Sequence, residues 1–250
     1  MSGFSDAELE RYARHIVLKE VGGAGQARLK AARVAVIGAG GIGSPVIQYL
    51  AGAGVGMIVG IDDDAVALSN LQRQTLFGTD DVGRVKVEAA ADAVRRLNPT
   101  VRFEPQPARI DAANAADLLK SADVVVDGCD NFATRLAVAD AAARLHIPLV
   151  SAAVGQFEGQ LAVFRPWEAG RPCYRCLVGA APERPELSCA EAGVLGALTG
   201  IVGSLAALEA IRAITPFGDD PAGKLLLIDT LAFRFRTIAL PKDPGCACAG

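Results

Sequence analysis

Histidine is scarce in this 250-residue sequence, and a strongly basic segment is missing. The two histidines, His15 and His146, leave few choices for an imidazole acid or base. The net charge is −3 without a block of Lys or Arg, which argues against broad contact with a nucleic-acid backbone but not against one basic pocket. We therefore do not expect a nucleic-acid partner.

Long apolar runs are also rare. Residues 194–214 form the one stretch long enough to raise the question of a membrane, and Glu209 and Arg212 lie within it. We expect a buried or subunit-facing helix there rather than a span. Residues 1–6 carry neither a basic patch nor an apolar run, and position 2 is not Gly, so we expect no signal peptide or myristoylation and a cytoplasmic protein.

Cysteine is limited to six positions, which are spread unevenly. Two close pairs, Cys173 with Cys176 and Cys246 with Cys248, stand out. In a large cytosolic α/β chain such pairs are typical of a metal site rather than of disulfides. Cys129 follows an apolar strand and is expected to be a small packing residue.

Apolar strands alternate with helical segments over the first 159 residues. Strands are predicted at 33–37, 57–61, 101–105, 123–127 and 148–152, and helices at 5–20, 43–54, 84–97, 112–120 and 132–145. This alternation is typical of an α/β fold with a doubly wound, mostly parallel (Rossmann-like) sheet.

The pattern changes after residue 159. A strand at 160–165, a loop region at 168–193, the apolar helix and two strands at 225–228 and 233–240 are predicted. The last strands should pair as hairpins and extend the sheet in antiparallel fashion. We expect one domain over residues 1–250, with a nucleotide-binding half at 1–159 and a second part at 160–250.

A glycine-rich loop, GAGGIG at 38–43, follows the first strand and opens a helix. Glycines at Gly38, Gly40 and Gly43 let a phosphate approach the backbone N–H groups and the helix N-terminus. Asp62 ends the next strand, where a carboxylate can accept from ribose hydroxyls. The pattern predicts nucleotide binding and leaves open whether the nucleotide is NAD or a triphosphate.

Polar residues cluster after the second strand. Arg73, in the segment SNLQRQ at 69–74, and Lys86 could both reach a triphosphate, where fixed cations stabilise the charge on leaving pyrophosphate. Asp130, after the strand at 123–127, is either a Mg²⁺ ligand or a helix cap, with Asn131 as the competing cap.

Eight motifs in order carry a family resemblance. They are Arg11-Tyr12-x-Arg14-x-Ile16, GAGGIG, Asp62-x-Asp64, SNLQRQ, Gly83-x-x-Lys86, Asp130-Asn131, PCYRCL at 172–177 and Pro244-Gly245-Cys246. Together they resemble the adenylyltransferases of molybdopterin and thiamine-thiazole biosynthesis (the HesA/MoeB/ThiF family), which are similar to the catalytic half of ubiquitin-activating enzymes. Among these, the molybdopterin-synthase type is the nearest match.

The resemblance implies ATP rather than NAD at the glycine loop. It assigns nucleotide binding to Gly38, Gly40, Gly41, Gly43, Asp62, Asp64, Asn70, Leu71, Gln72, Arg73, Gln74, Lys86, Asp130 and Asn131. Asp130 would hold Mg²⁺. The reaction implied is adenylylation of the C-terminal glycine carboxylate of a small ubiquitin-like sulfur-carrier protein ending in Gly-Gly, bound by the part at 160–250.

The resemblance also implies partners and further residues. A homodimer is expected, in which Arg14 of one chain reaches the ATP site of the other. The sulfur donor is expected to be a separate protein. Cys189 lies where related enzymes carry a Cys that can form a covalent bond to the carrier. The catalytic set is thus Arg14, Arg73, Lys86, Asp130 and Cys189.

Zinc is expected at the two cysteine pairs, in a structural role because four thiolates leave no open position. Cys173-x-x-Cys176 has the spacing of half a zinc site. The family's second pair is usually Cys-x-x-Cys, whereas Cys246-Ala247-Cys248 is one residue short, so a lost or altered site is the alternative.

Two other functions stay open. The same ATP chemistry could act on another carboxylate, on a modified tRNA base or a peptide. An NAD-dependent oxidoreductase is the alternative of a different class, and the positions of His15 and His146 count against it.

Overall fold

The protein is described by a computed structural model that covers residues 3–179 and 193–246. The strands are β1 (Arg33–Ile37), β2 (Met57–Ile61), β3 (Arg102–Gln106), β4 (Val124–Asp127), β5 (Leu149–Val154), β6 (Glu158–Phe164), β7 (Lys224–Asp229) and β8 (Arg234–Ala239). The helices are α1 (Asp6–Ile16), α2 (Gly22–Ala31), α3 (Gly43–Ala53), α4 (Lys86–Leu97), α5 (Ala115–Leu119), α6 (Phe132–Leu145), α7 (Tyr174–Val178) and α8 (Gly196–Ile214).

Within the described residues these strands form a single sheet in the order β3-β2-β1-β4-β5-β6-β7-β8. The first five strands in this order, from β3 to β5, are parallel to their neighbours. The remaining pairs, β5 with β6, β6 with β7 and β7 with β8, are antiparallel. The predicted fold class is confirmed: a Rossmann-like parallel sheet is extended by antiparallel strands.

The register of the parallel strands brings their carboxyl ends to one level. Ile37 pairs with Ile61 on one side and with Asp127 on the other. Asp127 in turn pairs with Ser151 of β5. The loops after β1, β2 and β4 therefore leave the sheet side by side, which is where open α/β sheets bind ligands.

Helix α8 packs across the sheet against β4, β5 and β6 and against α3. Its residues Leu198, Val202 and Ala206 are buried in the core cluster. A Cβ added to Gly203 would lie 2.4 Å from the ring of Pro45, so this glycine is what lets α3 and α8 approach closely. By length and composition α8 would also pass for a membrane span, a test that core helices of this kind commonly meet.

Several predicted boundaries are confirmed and others need correction. The predicted bounds of β1, β2 and α6 match the structure, and Ser5 and Glu8 form the predicted capping box of α1. Helix α1 ends at Ile16 rather than near Glu20, and α4 begins at Lys86 rather than at residue 84.

Two helices were not predicted. The Gly-rich α2 lacks an apolar period, and α7 is a five-residue helix inside the segment predicted as a loop. In α2 tertiary contacts replace the missing pattern, because Leu29 is fully buried and the Gln26 amide donates to the Ala53 carbonyl at 2.8 Å.

Candidate active site

A cavity of about 710 Å³ opens at the carboxyl ends of the parallel strands. Its walls come from the loops after β1, β2 and β4, from the start of α4 and from the first turn of α8. These are separate segments of the chain, and only the sheet register described above brings them together.

The glycine loop forms one wall, and its geometry explains why glycines are needed. Gly38 has φ +83°, and its N–H donates to the Ile61 carbonyl at 2.9 Å, which ties the loop to β2. A Cβ on Gly43 would lie 1.8 Å from the carbonyl oxygen of Gly38. The loop therefore turns into α3 without room for a side chain, and the backbone is open to a phosphate.

Asp62 is a fixed, partly buried carboxylate at the end of β2. One oxygen accepts from the Ala39 N–H at 2.7 Å and the other from the Asp64 N–H at 2.8 Å. A carboxylate has about four acceptor positions, so capacity for a ribose hydroxyl remains. Burial raises the pKa of Asp62, against the opposing charge of Lys86 and these two hydrogen bonds.

Lys86 is a buried cation at the start of α4, with 6% of its side chain exposed. Its ammonium lies 2.7 Å from Asp64 and 3.9 Å from Asp62. Asp64 is 68% exposed, so water weakens that ion pair and an incoming anion can compete for Lys86.

The SNLQRQ segment forms a tight turn on the opposite wall. The N–H groups of Arg73 and Gln74 both donate to the Asn70 carbonyl, at 3.0 and 2.9 Å. The Thr199 hydroxyl of α8 lies 3.4 Å from the Arg73 carbonyl. The turn is thus held from both sides, and the Arg73 guanidinium donates to the Ser69 carbonyl at 3.1 Å.

Gln74 adds a feature that fits a ligand. It is 3% exposed and lines the cavity, and its amide oxygen has no hydrogen-bond partner within residues 3–179 and 193–246. A buried polar atom without a partner costs about 1–3 kcal/mol, which a bound polar group would relieve.

The sequence leaves open whether Asp130 or Asn131 caps α6, and the structure shows which one does. Asn131 is the N-cap of α6, with its side-chain oxygen accepting from the Thr134 N–H at 2.8 Å. Asp130 is exposed at the cavity wall. Because Asn131 fills the cap, the Asp130 carboxylate is available to a cation.

The structure brings most predicted site residues to this one cavity. The lining includes Gly38, Gly40, Gly41, Asp62, Asp64, Asn70, Arg73, Gln74, Lys86, Asp130 and Asn131. Gly43 lies beneath the loop. Gln72 is exposed and Leu71 packs against the hydrophobic core, and neither lines the cavity in the described part of the chain.

Two other predicted catalytic residues are not among the described residues of the lining. Arg14 is exposed on the last turn of α1 and, among the residues that the structure describes, is not part of the lining. Cys189 lies outside the described residues. The histidines are also away from the described lining: His15 contacts Gln26 at 3.2 Å, and His146 stacks on Trp167.

Arg135 is a cavity residue that the sequence reasoning missed. It is 7% exposed and lies 3.3 Å from Asp127, and it donates to the carbonyls of Ala152, at 2.9 Å, and Cys129. Burial opposes its charge, but the neighbouring Asp127 raises the pKa of Arg135, so it stays a cation. Its position one turn into α6, four residues after Asn131, is the signal that could have indicated it.

Cys129 is confirmed as a packing residue. Its side chain packs against the second core cluster, and burial together with the charge of Asp127 raises the pKa of its thiol well above the ordinary range. A thiol held protonated is a poor nucleophile and a poor metal ligand.

Three cysteines converge at the start of α7. The Cys173 sulfur lies 3.8 Å from that of Cys176 and 3.5 Å from that of Cys246. A tetrahedral zinc ion with Zn–S bonds of about 2.3 Å separates its sulfurs by about 3.8 Å, so these positions fit such an ion. Cys248, the predicted fourth ligand, lies outside the described residues.

A second cavity, of about 440 Å³, lies on the antiparallel strands. It shares Ala153, Val154 and Gln160 with the first cavity and extends to Arg234 and Arg236 of β8. The two cavities are therefore adjacent, and a chain segment could pass from one into the other.

Comparison with known proteins gives a consistent result. Residues 12–248 match the ThiF family. The chain is 48% identical over 247 residues to the sulfur carrier protein adenylyltransferase of Thermus thermophilus, covering 97% of this chain and 91% of that protein. It is 43% identical over 250 residues to the molybdopterin-synthase adenylyltransferase of Escherichia coli, covering 100% of both.

A solved structure shares the fold. The crystal structure of Escherichia coli MccB with AMPCPP and MccA superposes with a TM-score of 0.82 at 24% identity. It covers 96% of this chain and 74% of that one. At this identity the likeness shows the Rossmann-like fold alone.

Proposed function

The chain belongs to the ThiF family, and we propose that it adenylylates the C-terminal glycine carboxylate of a small ubiquitin-like sulfur-carrier protein. The observation that carries the proposal is the convergence of Arg73, Lys86 and Asp130 on the cavity of the glycine loop. The relatives at 48% and 43% identity are adenylyltransferases by name, the first acting on a sulfur carrier.

The lining suggests one orientation for ATP. The ribose would lie at Asp62, the phosphates would follow the N–H groups after Gly38 toward α3, and the end of the triphosphate would meet Arg73 and Lys86. The helix N-terminus and two cations then act on the same anion. Asn70 and Gln74 supply amide groups on the facing wall.

The chemistry is a displacement at the α-phosphorus. A carboxylate oxygen of the carrier's last glycine forms the new P–O bond, and the bond between the α-phosphorus and the oxygen bridging to the β-phosphate breaks. Pyrophosphate leaves with the bonding electrons, and the carrier becomes an acyl adenylate. Arg73 and Lys86 stabilise the charge that develops on the leaving group, and neither gives up a proton.

Asp130 is the residue that would hold Mg²⁺. Carboxylate oxygen is the ligand that this ion prefers, and the exposed carboxylate of Asp130 faces the cavity without a capping role. When bound there, Mg²⁺ supplies positive charge to the phosphate oxygens. Asp130 itself orients the polyphosphate by fixing where that charge lies.

The carrier enters from the antiparallel strands. Its globular part would contact residues 160–250, and its extended Gly-Gly tail would run through the second cavity into the first. A tail without side chains suits this path because the cavities meet at Ala153, Val154 and Gln160, beside Gly155 and Gly159. Residues 1–159 then form the nucleotide-binding half of a single adenylating domain.

A homodimer would complete the site with Arg14 from the second copy. Arg14 is exposed, and exposed apolar side chains also stand at the end of α1, on α3 and on α8, including Val17, Tyr49 and Ile201. Such residues favour a subunit contact. Sulfur would come from a separate donor protein, and Cys189 would serve in a later covalent step.

Zinc is proposed at Cys173, Cys176 and Cys246, with Cys248 as the fourth ligand. The measured sulfur separations fit tetrahedral coordination and are far longer than a disulfide bond of about 2.05 Å. A thiolate site of this kind suits a reducing compartment, so we place the enzyme in the cytoplasm.

Isotope exchange between pyrophosphate and ATP tests the proposal. Exchange should depend on a carrier ending in Gly-Gly and should be lost in Asp130→Ala. Asp117→Ala is the matched control, because Asp117 is exposed on α5 and pairs only with Lys120 among the described residues. Exchange driven instead by a peptide or a modified tRNA would identify another acceptor, and NAD binding without any exchange would overturn the proposal.

A further inference from the structure

The cysteine cluster (Cys173, Cys176 and Cys246) lies beside α6, the helix that directly follows Asp130. Tyr174 directly follows Cys173, is 4% exposed and contacts the ring of Phe132 with centroids 6.3 Å apart. Arg175 forms a two-pronged ion pair with Asp140 of α6, at 2.9 and 2.7 Å. The first two residues of α7 therefore contact α6 at its first and third turns.

The charge of Arg135 connects Tyr174 with the backbone that precedes Asp130. Tyr174 and Arg135 both line the cavity, burial raises the pKa of Tyr174 and the positive charge of Arg135 opposes that rise, and the Arg135 guanidinium donates to the Cys129 carbonyl. Cys129 is the residue before Asp130, and Phe132 is two residues after it. Tyr174 thus acts on both sides of the Asp130 turn, on one through the charge of Arg135 and on the other through its ring contact with Phe132.

The far side of Tyr174 is fixed as well. Its ring packs edge-on against Phe164 of β6 at 5.7 Å. The ring is therefore packed between Phe164 and Phe132, and a shift of the backbone at Cys173 would press on Phe132. In a closely packed interior such displacements are transmitted rather than absorbed.

We propose that Tyr174 is a positioning residue that couples the cysteine cluster to the Asp130 turn, so that metal bound at the cluster strengthens the binding of ATP with Mg²⁺. The proposal rests on the proposed function in one respect, the role of Asp130 toward Mg²⁺. Coupling of this kind is reciprocal, so ATP with Mg²⁺ must also tighten the binding of metal at the cluster by the same factor.

A double-mutant cycle on the zinc-loaded full chain tests the coupling. Tyr174→Phe removes only the hydroxyl and should weaken the binding of ATP with MgCl2 by about fivefold or more, measured by calorimetry. The same change in an Asp130→Asn background should have little effect, because the group through which Tyr174 acts is gone.

Tyr12→Phe is the matched control. Tyr12 is also buried, and its hydroxyl is hydrogen-bonded to Thr100 at 3.0 Å and Asn98 at 2.8 Å, but it lies outside the described cavity lining. It should lower thermal stability and leave the Kd for ATP unchanged. Phe132→Leu, which keeps the hydroxyl and removes the ring contact, takes the place of Tyr174→Phe if that variant does not fold.

The second readout is the share of zinc that a coloured chelator takes from the protein at equilibrium. ATP with MgCl2 should lower this share in the unchanged protein and not in Tyr174→Phe. An unchanged Kd in Tyr174→Phe, or an equal loss in both backgrounds, would overturn the coupling. Exchange activity is measured separately. A protein that binds ATP but activates no carrier would refute the proposed function, and the double-mutant cycle would still decide whether Tyr174 is coupled to Asp130.

Discussion

The two parts of the sheet differ in how much of each strand is buried. In β1, at the centre of the parallel strands, four of five residues are buried, whereas in β8, at the antiparallel edge, five of six are exposed. Parallel strands covered by helices on both faces are almost wholly apolar, and antiparallel strands can leave one face open.

This difference separates two tasks. The parallel part builds a cavity whose walls are fixed by short backbone hydrogen bonds, as in the turn held by the Asn70 carbonyl. The antiparallel part presents an open surface with exposed Phe233, Phe235 and two arginines. Binding of a small nucleotide needs the first kind of surface, and docking of a protein needs the second.

Substitution of Arg73 should give the largest effect and should be confined to chemistry. Arg73→Ala removes a fixed cation from the cavity, and we expect the exchange rate to fall roughly 100–1000-fold. Thermal stability should hardly change, since within residues 3–179 and 193–246 the guanidinium has one hydrogen bond, to the Ser69 carbonyl. Arg95→Ala, at an exposed position on α4, is the control. A loss under tenfold would argue against a catalytic role for Arg73.

Substitution of Arg236 tests the other part of the sheet with the same residue type. Arg236→Ala should raise the KM for the carrier about fivefold, since an exposed contact contributes about 1 kcal/mol. The kcat and the affinity for ATP should stay as they are. Arg102→Ala, on the opposite edge strand β3, should change neither constant. A lower kcat in Arg236→Ala would contradict the assignment of carrier binding to the antiparallel strands and of catalysis to the parallel strands.

The smallest effect concerns pH and the raised pKa of Asp62. The ionised carboxylate accepts hydrogen bonds and its protonated form loses acceptor capacity, so ATP affinity should fall as the pH drops through this pKa. Because burial raises the pKa above the ordinary 3.8, the fall should begin at a higher pH than for an exposed Asp. We expect a change of about two- to fivefold by calorimetry. In Asp62→Asn this dependence should disappear, whereas Asp63→Asn should keep it.

Sequence patterns predicted the strands and most helices because burial and local chemistry agree there. RVAVI is apolar after its first residue and MIVGI is apolar throughout, and α6 begins at an Asn cap. Helix α2 was not predicted because the first four residues of GGAGQARLKA are all Gly or Ala. The helix depends instead on contacts of Gln26 and Leu29 with distant segments. Sequence patterns within a short segment cannot predict contacts with distant residues.

The site was predictable to the level of the sheet edge. Strand–loop–helix order indicated which loops meet, and Asp130 and Asn131 were both expected there. Which of the two caps α6, and which therefore keeps its side chain available to a ligand, is shown only by the structure. Arg135 was missed because a cation on a helix usually lies in solvent, whereas its partners Asp127 and Ala152 come from β4 and β5.

The open edges of the sheet have a consequence for how the protein behaves at high concentration. A terminal strand offers its free backbone groups to any other extended chain and can seed fibrils. Pro105 in β3 removes one such donor, and the charges of Arg234 and Arg236 oppose stacking of like strands along β8. Raised ionic strength screens the charges on β8 but does not change Pro105 in β3. Self-assembly in concentrated salt should therefore begin from β8.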